Sequence, residues 1–526
     1  MYKVRFIVFY DNSPRVFELG LGYLTSAVKK MKDVVVETFH YNIQQITQAA
    51  ADIKYANVDM VGLPVLQFNI KAVLTFCELI KNKNIHVVLG HREAYVNADY
   101  IMKNYDFIDS IIYGEGEETL CELINCICTR KTLQECDGLI YRKGSLIIKN
   151  KMRALVENLD TLDFPDRAIR YVKDKPYYVS ASRGCLGHCS FCYIEKVQPG
   201  KKIRTRSIGN IFNEIENLTL NYNARYICFS DETFCGNFLD PKVWYEDVYN
   251  EIIKRDLKIR FNFCIRSEQV NEGVNEILVK MLNVGLDHVF IGIESGNAED
   301  LLLFKKHAKI ADNINAIKLL QKSGIILQYG FIMFNPYSTF DKLYENIDFL
   351  QKTGLYVTLE DITNKLGMFN GTKIAEKLRI DGLLVNPMGD LITNPYAYKF
   401  VDNRIFYALR ALEEIERTSE FIRIEGYRSW SVYNNLKYFS SINDMNLLNC
   451  FFNVLSDTFT MATNRNIDIF KLILHHAEKG EENITEKIKC QTNNYLNDIN
   501  NQWKNLKQIT SKVRIKLIRL NEDYTI

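Results

Sequence analysis

The stretch Ser182-Arg-Gly-Cys185-Leu-Gly-His-Cys189-Ser-Phe-Cys192-Tyr193 decides how this chain is read. It follows a short apolar run, Tyr177–Ser182, that reads as a strand. Its three thiols stand at C-x3-C-x2-C spacing within one loop. Spacings this short let a loop wrap a metal cluster corner by corner, and three thiolates on four irons leave one iron without a protein ligand. An open metal position means chemistry, by the logic that separates catalytic from structural zinc sites. Two other readings are a zinc site completed by His188 and an accidental grouping. Structural zinc favours paired C-x2-C elements, and the chain holds only one such pair.

Downstream of the loop, strand and helix signals alternate. Strands are expected at Tyr226–Ser230, Arg260–Arg266, His288–Glu294, Ile325–Phe334 and Tyr356–Glu360, with amphipathic helices between them. With Tyr177–Ser182 this makes six βα-type units, a partial (β/α)6 barrel over residues 173–375. Polar residues collect where the strands end: Asp231 and Glu232 after the second, Arg266 after the third, Glu294 and Ser295 after the fourth, Asn335 after the fifth. A barrel builds its site at that carboxyl edge.

Upstream, residues 1–135 alternate in the same way, with strands at Val4–Tyr10, Val34–His40, Met60–Leu66, His86–Gly90 and Ile108–Tyr113. This pattern gives a doubly wound parallel sheet, so the fold class is α/β. Ligands of such sheets sit beyond the carboxyl ends of the strands, which selects the loops Asp11–Phe17, Leu66–Asn69, Gly90–Glu93 and the turn at Gly114. Residues 136–172, with a hairpin-like start and Asp163-Phe-Pro-Asp166, read as a linker. Residues 376–526 are mostly helical in periodicity and show no chemistry.

Composition bounds the rest. A length of 526 residues suggests roughly three domains. The 66 basic and 64 acidic residues nearly cancel, which removes the whole-chain electrostatic case for a nucleic-acid partner. No run approaches the length of a membrane span. Thirteen cysteines without a framework suit a reducing compartment, so the expectation is a cytoplasmic protein. Cys121, Cys126, Cys128 and Cys136 read as buried or solvated thiols, which leaves one cluster.

On its cysteine loop, its aromatic Phe191 before the third cysteine and the rhythm that follows, the chain resembles the radical SAM superfamily, whose members cleave S-adenosylmethionine (SAM) reductively at a [4Fe–4S] cluster. The resemblance implies that Cys185, Cys189 and Cys192 bind the cluster. It also implies that Asp231, Glu232, Arg266, Glu294 and Ser295 surround SAM and that Asn335 supports its adenine edge. SAM carries an ammonium and a carboxylate, which need acceptors and a cation respectively. The order of domains, with Leu19-Gly-Leu-Gly-Tyr-Leu and Gly114-Glu-Gly-Glu-Glu-Thr, resembles over roughly residues 1–375 the class of that superfamily that also binds cobalamin. Leu66, Gly90, His91 and Gly114 are then the cobalamin-edge residues.

Two departures stand out. Cobalamin binders of the superfamily often carry two glycines after the fourth strand, where this chain has Gly90-His91. His91 reads as a surface loop residue, as a neighbour of the cobalamin edge, or as the mark of a domain that has lost the cofactor. The D-x-H-x-x-G motif of other cobalamin domains is also absent, and superfamily relatives commonly lack its histidine. Glu115, Glu117 and Glu118 are expected to cap the helix they open. The implied activity is hydrogen abstraction from an unactivated position, followed by cobalamin-dependent methylation of a peptide or natural-product intermediate, with flavodoxin or ferredoxin as electron donor. No general base is demanded. Alternatives are non-methylating cyclisation, cross-linking or rearrangement, and a non-catalytic iron–sulfur and corrinoid binding or sensing protein.

Overall fold

Nine residues, Tyr2–Tyr10 (β1), bury Val4, Phe6 and Val8 on one face and Ile7 and Phe9 on the other. A strand apolar on both faces requires helices above and below it. The computed structural model, which describes residues 1–11, 18–81, 84–168, 176–197, 203–236, 240–385, 394–418, 429, 432–433 and 445–519, supplies them. Beside β1 lie β2 (Val34–Asn42), β3 (Met60–Pro64), β4 (His86–Gly90), β5 (Ser110–Ile112), β6 (Leu139–Lys143) and β7 (Leu146–Lys149). Their order is β2-β1-β3-β4-β5-β6-β7. The first five are parallel, and β6 and β7 add an antiparallel hairpin at the edge. Val4, Phe6 and Val8 pack with Val28, Leu120 and Leu123 of the helices Glu18–Lys29 and Gly116–Thr129. Ile7 and Phe9 pack with Ile53, Val73, Phe76 and Ile101 on the other side. The doubly wound sheet expected from the sequence is present.

The chain divides into two compact units. The first comprises Met1–Lys173, Tyr178–Asn217 and Gly367–Ala397, the second Asp174–Tyr177, Leu218–Leu366 and Tyr398–Ile526. In the first unit the second glycine of the Leu19-Gly-Leu-Gly phrase, Gly22, is explained by close approach. A Cβ on Gly22 would lie 2.8 Å from Pro165 Cβ and 3.0 Å from the Asp166 carbonyl oxygen, and the Asp166 N–H donates to Gly22 O at 3.0 Å. Ser26 Oγ donates to Phe164 O at 2.8 Å, and Lys29 pairs with Asp166. After β8 (Tyr177–Val179) come the short strands β9 (Ser182–Arg183) and β10 (Arg204–Thr205), which pair antiparallel with Arg183 opposite Arg204.

In the second unit β11 (Tyr226–Phe229), β12 (Arg260–Ile265), β13 (Leu286–Glu294) and β14 (Leu327–Phe331) run parallel in the order β14-β13-β12-β11. The helices Lys242–Lys254, Glu272–Leu282, Ile310–Lys322 and Phe340–Thr353 connect or follow them. The strand expected at Tyr356–Glu360 does not form. Thr358 instead caps a short helix, Leu359–Thr363, through a capping box with Asp361. The backbone of Val357 is satisfied by side chains of the helix Met445–Glu478: its N–H donates to Thr463 Oγ1 at 2.9 Å, and Asn466 Nδ2 donates to its carbonyl at 2.7 Å. Distant side chains thus replace a strand ladder. The C-terminal residues are helical as expected, over Asn403–Thr418, Met445–Glu478 and Lys489–Arg519. Among the described residues no helix is long and apolar enough to cross a membrane.

Candidate functional site

In the first unit the chain leaves β9 through Gly184, whose φ of 108° only glycine adopts readily. Cys185 follows at once. The Gly187 N–H donates to Cys185 Sγ at 3.3 Å, and the Cys192 N–H donates to Cys189 O at 3.1 Å. All three thiols are half-buried. Among the described residues no three His, Cys, Asp or Glu side chains gather closely enough to hold one metal ion. The three thiols lie in one loop at C-x3-C-x2-C spacing. This arrangement is compatible with a cluster, whose thiolates sit on separate irons and whose sulfurs accept backbone N–H bonds. The donor set therefore fits a four-iron cluster.

The carboxyl edge of the first sheet meets this loop. Strand order reverses at β1, so the crevice for a ligand lies between β1 and β3. Fully buried Asn69 stitches that crevice, accepting from the Leu66 N–H at 2.8 Å and donating to Phe9 O and Pro64 O at 3.2 Å. The sequence places Asn69 at the end of the candidate loop Leu66–Asn69 but gives it no role of its own. A Cβ on Gly90 would meet no atom within 4 Å, so the space before this turn is open to a ligand. His91 has φ 74° and ψ 165°, a region that is essentially glycine's. Its imidazole hydrogen-bonds the Val65 backbone just after β3. Enclosure by protein and the nearby Arg92 guanidinium push its pKa down to about 4, although its surface stays open to solvent. Gly114 takes φ 79° after β5. Of the loop Asp11–Phe17, residues 12–17 lie outside the described residues.

The glutamates after Gly114 correct one expectation. Glu115 occupies the N-cap of the helix Gly116–Thr129 but makes no side-chain cap bond. Its carboxylate accepts from Arg183 Nη1 at 2.8 Å and Arg204 Nη1 at 2.9 Å, and also from the Val156 N–H at 2.7 Å. Arg183 Nη2 donates to Glu117 at 2.6 Å. Burial alone would raise the Glu115 pKa, but the Arg204 and Arg183 guanidiniums outweigh it and hold the carboxyl below its ordinary range. A buried and a partly buried guanidinium attract these carboxylates more strongly than a helix terminus does, because low dielectric strengthens full charges most. Beyond the cysteines, the Arg92 guanidinium lies 4.2 Å above the Tyr193 ring, and Ser190 O accepts from the Ile374 N–H at 3.0 Å.

In the second unit, the strand-end residues differ in kind. Asp231 is buried and Glu232 exposed just after β11. Arg266 follows β12 and donates from Nε to Glu268 at 2.6 Å. Glu294 closes β13 beyond a register shift, with φ 67°, and pairs with Lys306 at 3.2 Å. A non-glycine residue held at positive φ on a strand end is the kind of strain found at functional sites. The Ser295 hydroxyl and the Asn335 amide oxygen are already engaged. Buried Ser295 Oγ donates to Asn346 Oδ1 at 2.8 Å and accepts from the Asn297 N–H at 3.0 Å. Asn335 Oδ1 accepts from the Tyr337 N–H at 2.9 Å. Both shape turns, and the buried Asn335 Nδ2 is left without a hydrogen-bond partner among the described residues. At the opposite strand ends, Asp287 binds Arg260, Tyr226 OH (2.7 Å) and His288 Nδ1 (2.9 Å). His288 and Arg260 hold its pKa low against the cost of burial. This network fills the amino edge, where such folds place stability.

Cys126 and Cys136 are buried, Cys121 half-buried and Cys128 exposed, scattered along and beyond one helix.

A cluster-fitting cysteine loop beside a doubly wound sheet, followed by parallel strands with charged ends, defines a class. The radical SAM superfamily model matches residues 179–350, so that stretch of the chain is a radical SAM domain. Two curated relatives are similar over longer stretches. An uncharacterized methyltransferase of Pyrococcus horikoshii is 28% identical over 342 residues, 64% of this chain and 73% of the relative. The 4′-phospho-dehydrooxetanocin synthase of Priestia megaterium is 26% identical over 426 residues, 73% of this chain but only 56% of the synthase. Among solved structures, the cobalamin-dependent SAM radical enzyme OxsB, with aqua-cobalamin and SAM bound, superposes with a TM-score of 0.72 at 18% identity, covering 99% of this chain and 81% of its own. The last likeness shows a shared fold.

Proposed function

We propose that this enzyme binds a [4Fe–4S] cluster through Cys185, Cys189 and Cys192, binds SAM and a corrinoid, and methylates an unactivated position of a small-molecule or peptide substrate. The observation that carries the reading is the three-thiol loop, turned off its strand at Gly184; three thiolates on a four-iron cluster would leave one iron open. When bound, the cluster and SAM supply a 5′-deoxyadenosyl radical and methylcobalamin supplies the methyl group.

The chain's own residues bind and orient. Asp231, Glu232 and Glu294 offer carboxylates for the ammonium of SAM, and Arg266 offers a cation for its carboxylate. Ser295 and Asn335 hold the turns that carry these groups. Leu66, Gly90, His91 and Gly114 line the sheet edge for the corrinoid. The open space before Gly90 leaves room there, and the His91 imidazole bonds the Val65 backbone. The electron donor is a flavodoxin or ferredoxin. A second reading, radical ring formation without methyl transfer, is favoured by a relative named as an anaerobic magnesium-protoporphyrin IX monomethyl ester cyclase, 27% identical over 259 residues.

Anaerobic reconstitution with iron, sulfide and hydroxocobalamin, gel filtration, and turnover with deuterated-methyl SAM separates the readings. Retained corrinoid and a labelled methyl in the product are expected. 5′-Deoxyadenosine without label in the product selects the second reading, and no SAM cleavage refutes an enzyme of this class. Replacing the three cysteines by alanine should abolish the cluster's visible absorption.

A further inference from the structure

Arg183 and Arg204 face one another across β9 and β10. Like charges directly opposite on paired strands repel. One carboxylate resolves the conflict: Glu115 bridges them, one oxygen 2.8 Å from Arg183 Nη1 and the other 2.9 Å from Arg204 Nη1. Glu117 completes a neutral set of two cations and two anions through Arg183 Nη2. The Arg204 side chain is 1% exposed and that of Glu115 7%. A buried ionic set contributes little net stability relative to apolar replacements of the same volume, so stability alone does not account for it.

Its position gives it a use. Only Gly184 separates Arg183 from Cys185, and two residues of chain span at most about 7 Å. Gly184 has no side chain to steer the turn, so the direction in which the chain enters the cluster loop is set by how Arg183 is held. Arg183 is held by Glu115 and Glu117, which follow β5 at the carboxyl edge of the first sheet, and it lies 5.1 Å from the Tyr23 ring.

We propose that Glu115, with Glu117, is a positioning and charge-balancing pair for the cluster loop: it fixes Arg183, and with it Cys185, and cancels guanidinium charge beside the loop so that the cluster stays difficult to reduce. This rests on the cluster assignment made above. An uncompensated cation nearby favours the reduced, more negative cluster. At about 10 Å and an effective dielectric of about 20, one unit charge changes the reduction equilibrium on the order of tenfold.

The test is a mediated reductive titration of the full-length, anaerobically reconstituted protein, followed by the EPR signal of the reduced cluster and by iron content. Glu115→Gln should raise the midpoint by roughly the tenfold equivalent, about 59 mV for one electron. Glu117→Gln should raise it less, because Arg183 keeps Glu115. Glu115→Asp retains the charge but cannot span both arginines, so its midpoint should stay near that of the parent while its iron content falls. Midpoints in both glutamine variants equal to the parent's would overturn the proposal. If Glu115→Gln does not fold, Glu117→Gln decides alone by the same criterion. A parent protein that assembles no four-iron cluster refutes the cluster assignment separately. The clamp is then read in the cluster-free chain by the alkylation rate of Cys185: faster labelling in Glu117→Gln supports it, and equal rates overturn it.

Discussion

Two glycines of one helix should respond oppositely to the same substitution. Gly20 and Gly22 both lie within Glu18–Lys29. A Cβ on Gly20 meets nothing within 4 Å, so Gly20→Ala should gain the helix-propensity difference of about 1 kcal/mol. Gly22→Ala gains the same amount, but its Cβ would stand 2.8 Å from Pro165 Cβ and 3.0 Å from the Asp166 carbonyl oxygen. One of those atoms is backbone, so the contact cannot be relieved by rotating a side chain. Overpacking of this kind costs about 1–3 kcal/mol. The propensity gain cancels between the variants, leaving a gap of about 1–3 kcal/mol that measures the contact alone. Multidomain chains seldom unfold in two states, so the assay is native-state hydrogen exchange. Amides of Glu18–Lys29 should become better protected in Gly20→Ala, and those of the helix and of Phe164–Asp166 less protected in Gly22→Ala. Equal protection in the two variants would refute the docking of residues 164–166 on this helix.

Two further outcomes are expected. Asp361 is raised from 3.8 to about 6, chiefly by burial, with the Thr358 bonds opposing the shift. Below 3.8 the carboxyl is protonated in both folded and unfolded chains and contributes nothing; as pH rises through about 6, the folded state must ionise a buried acid. Its contribution is therefore destabilising above that range, by up to about 3 kcal/mol at 1.36 kcal/mol per pH unit. Asp361→Asn should flatten the loss of thermal stability between pH 4 and pH 7, and an unchanged pH profile would count against it. Arg266→Gln and Glu294→Gln should each weaken SAM binding roughly ten- to a hundredfold, the worth of one charged hydrogen bond, with iron content intact. Calorimetry showing parental affinity in both would remove these residues from the SAM site.

The sequence by itself determined what depends on short-range pattern. Alternating apolar runs located the first sheet and most helices, since strand and helix periodicity is written locally. C-x3-C-x2-C placed the cysteines because a loop's ligand spacing is a property of neighbouring residues. Strand-end polarity marked Asp231, Arg266 and Glu294 for the same reason. Only the tertiary structure decided which distant groups meet. Glu115 reads as a helix cap until Arg183 and Arg204, 68 and 89 positions away, come within hydrogen-bond reach. Tyr356–Glu360 has the composition of a strand, but Thr463 and Asn466 satisfy the backbone of Val357, and the ladder is not needed. Asn69 and Asn346 look like ordinary polar residues, yet each is fully buried and bonds groups of separate strands or turns. His91 in place of a glycine left its direction open, because only the fold places the Val65 carbonyl beside it. Charge pairing and backbone satisfaction across long sequence separations depend on where the chain has already folded, and no local window contains that information.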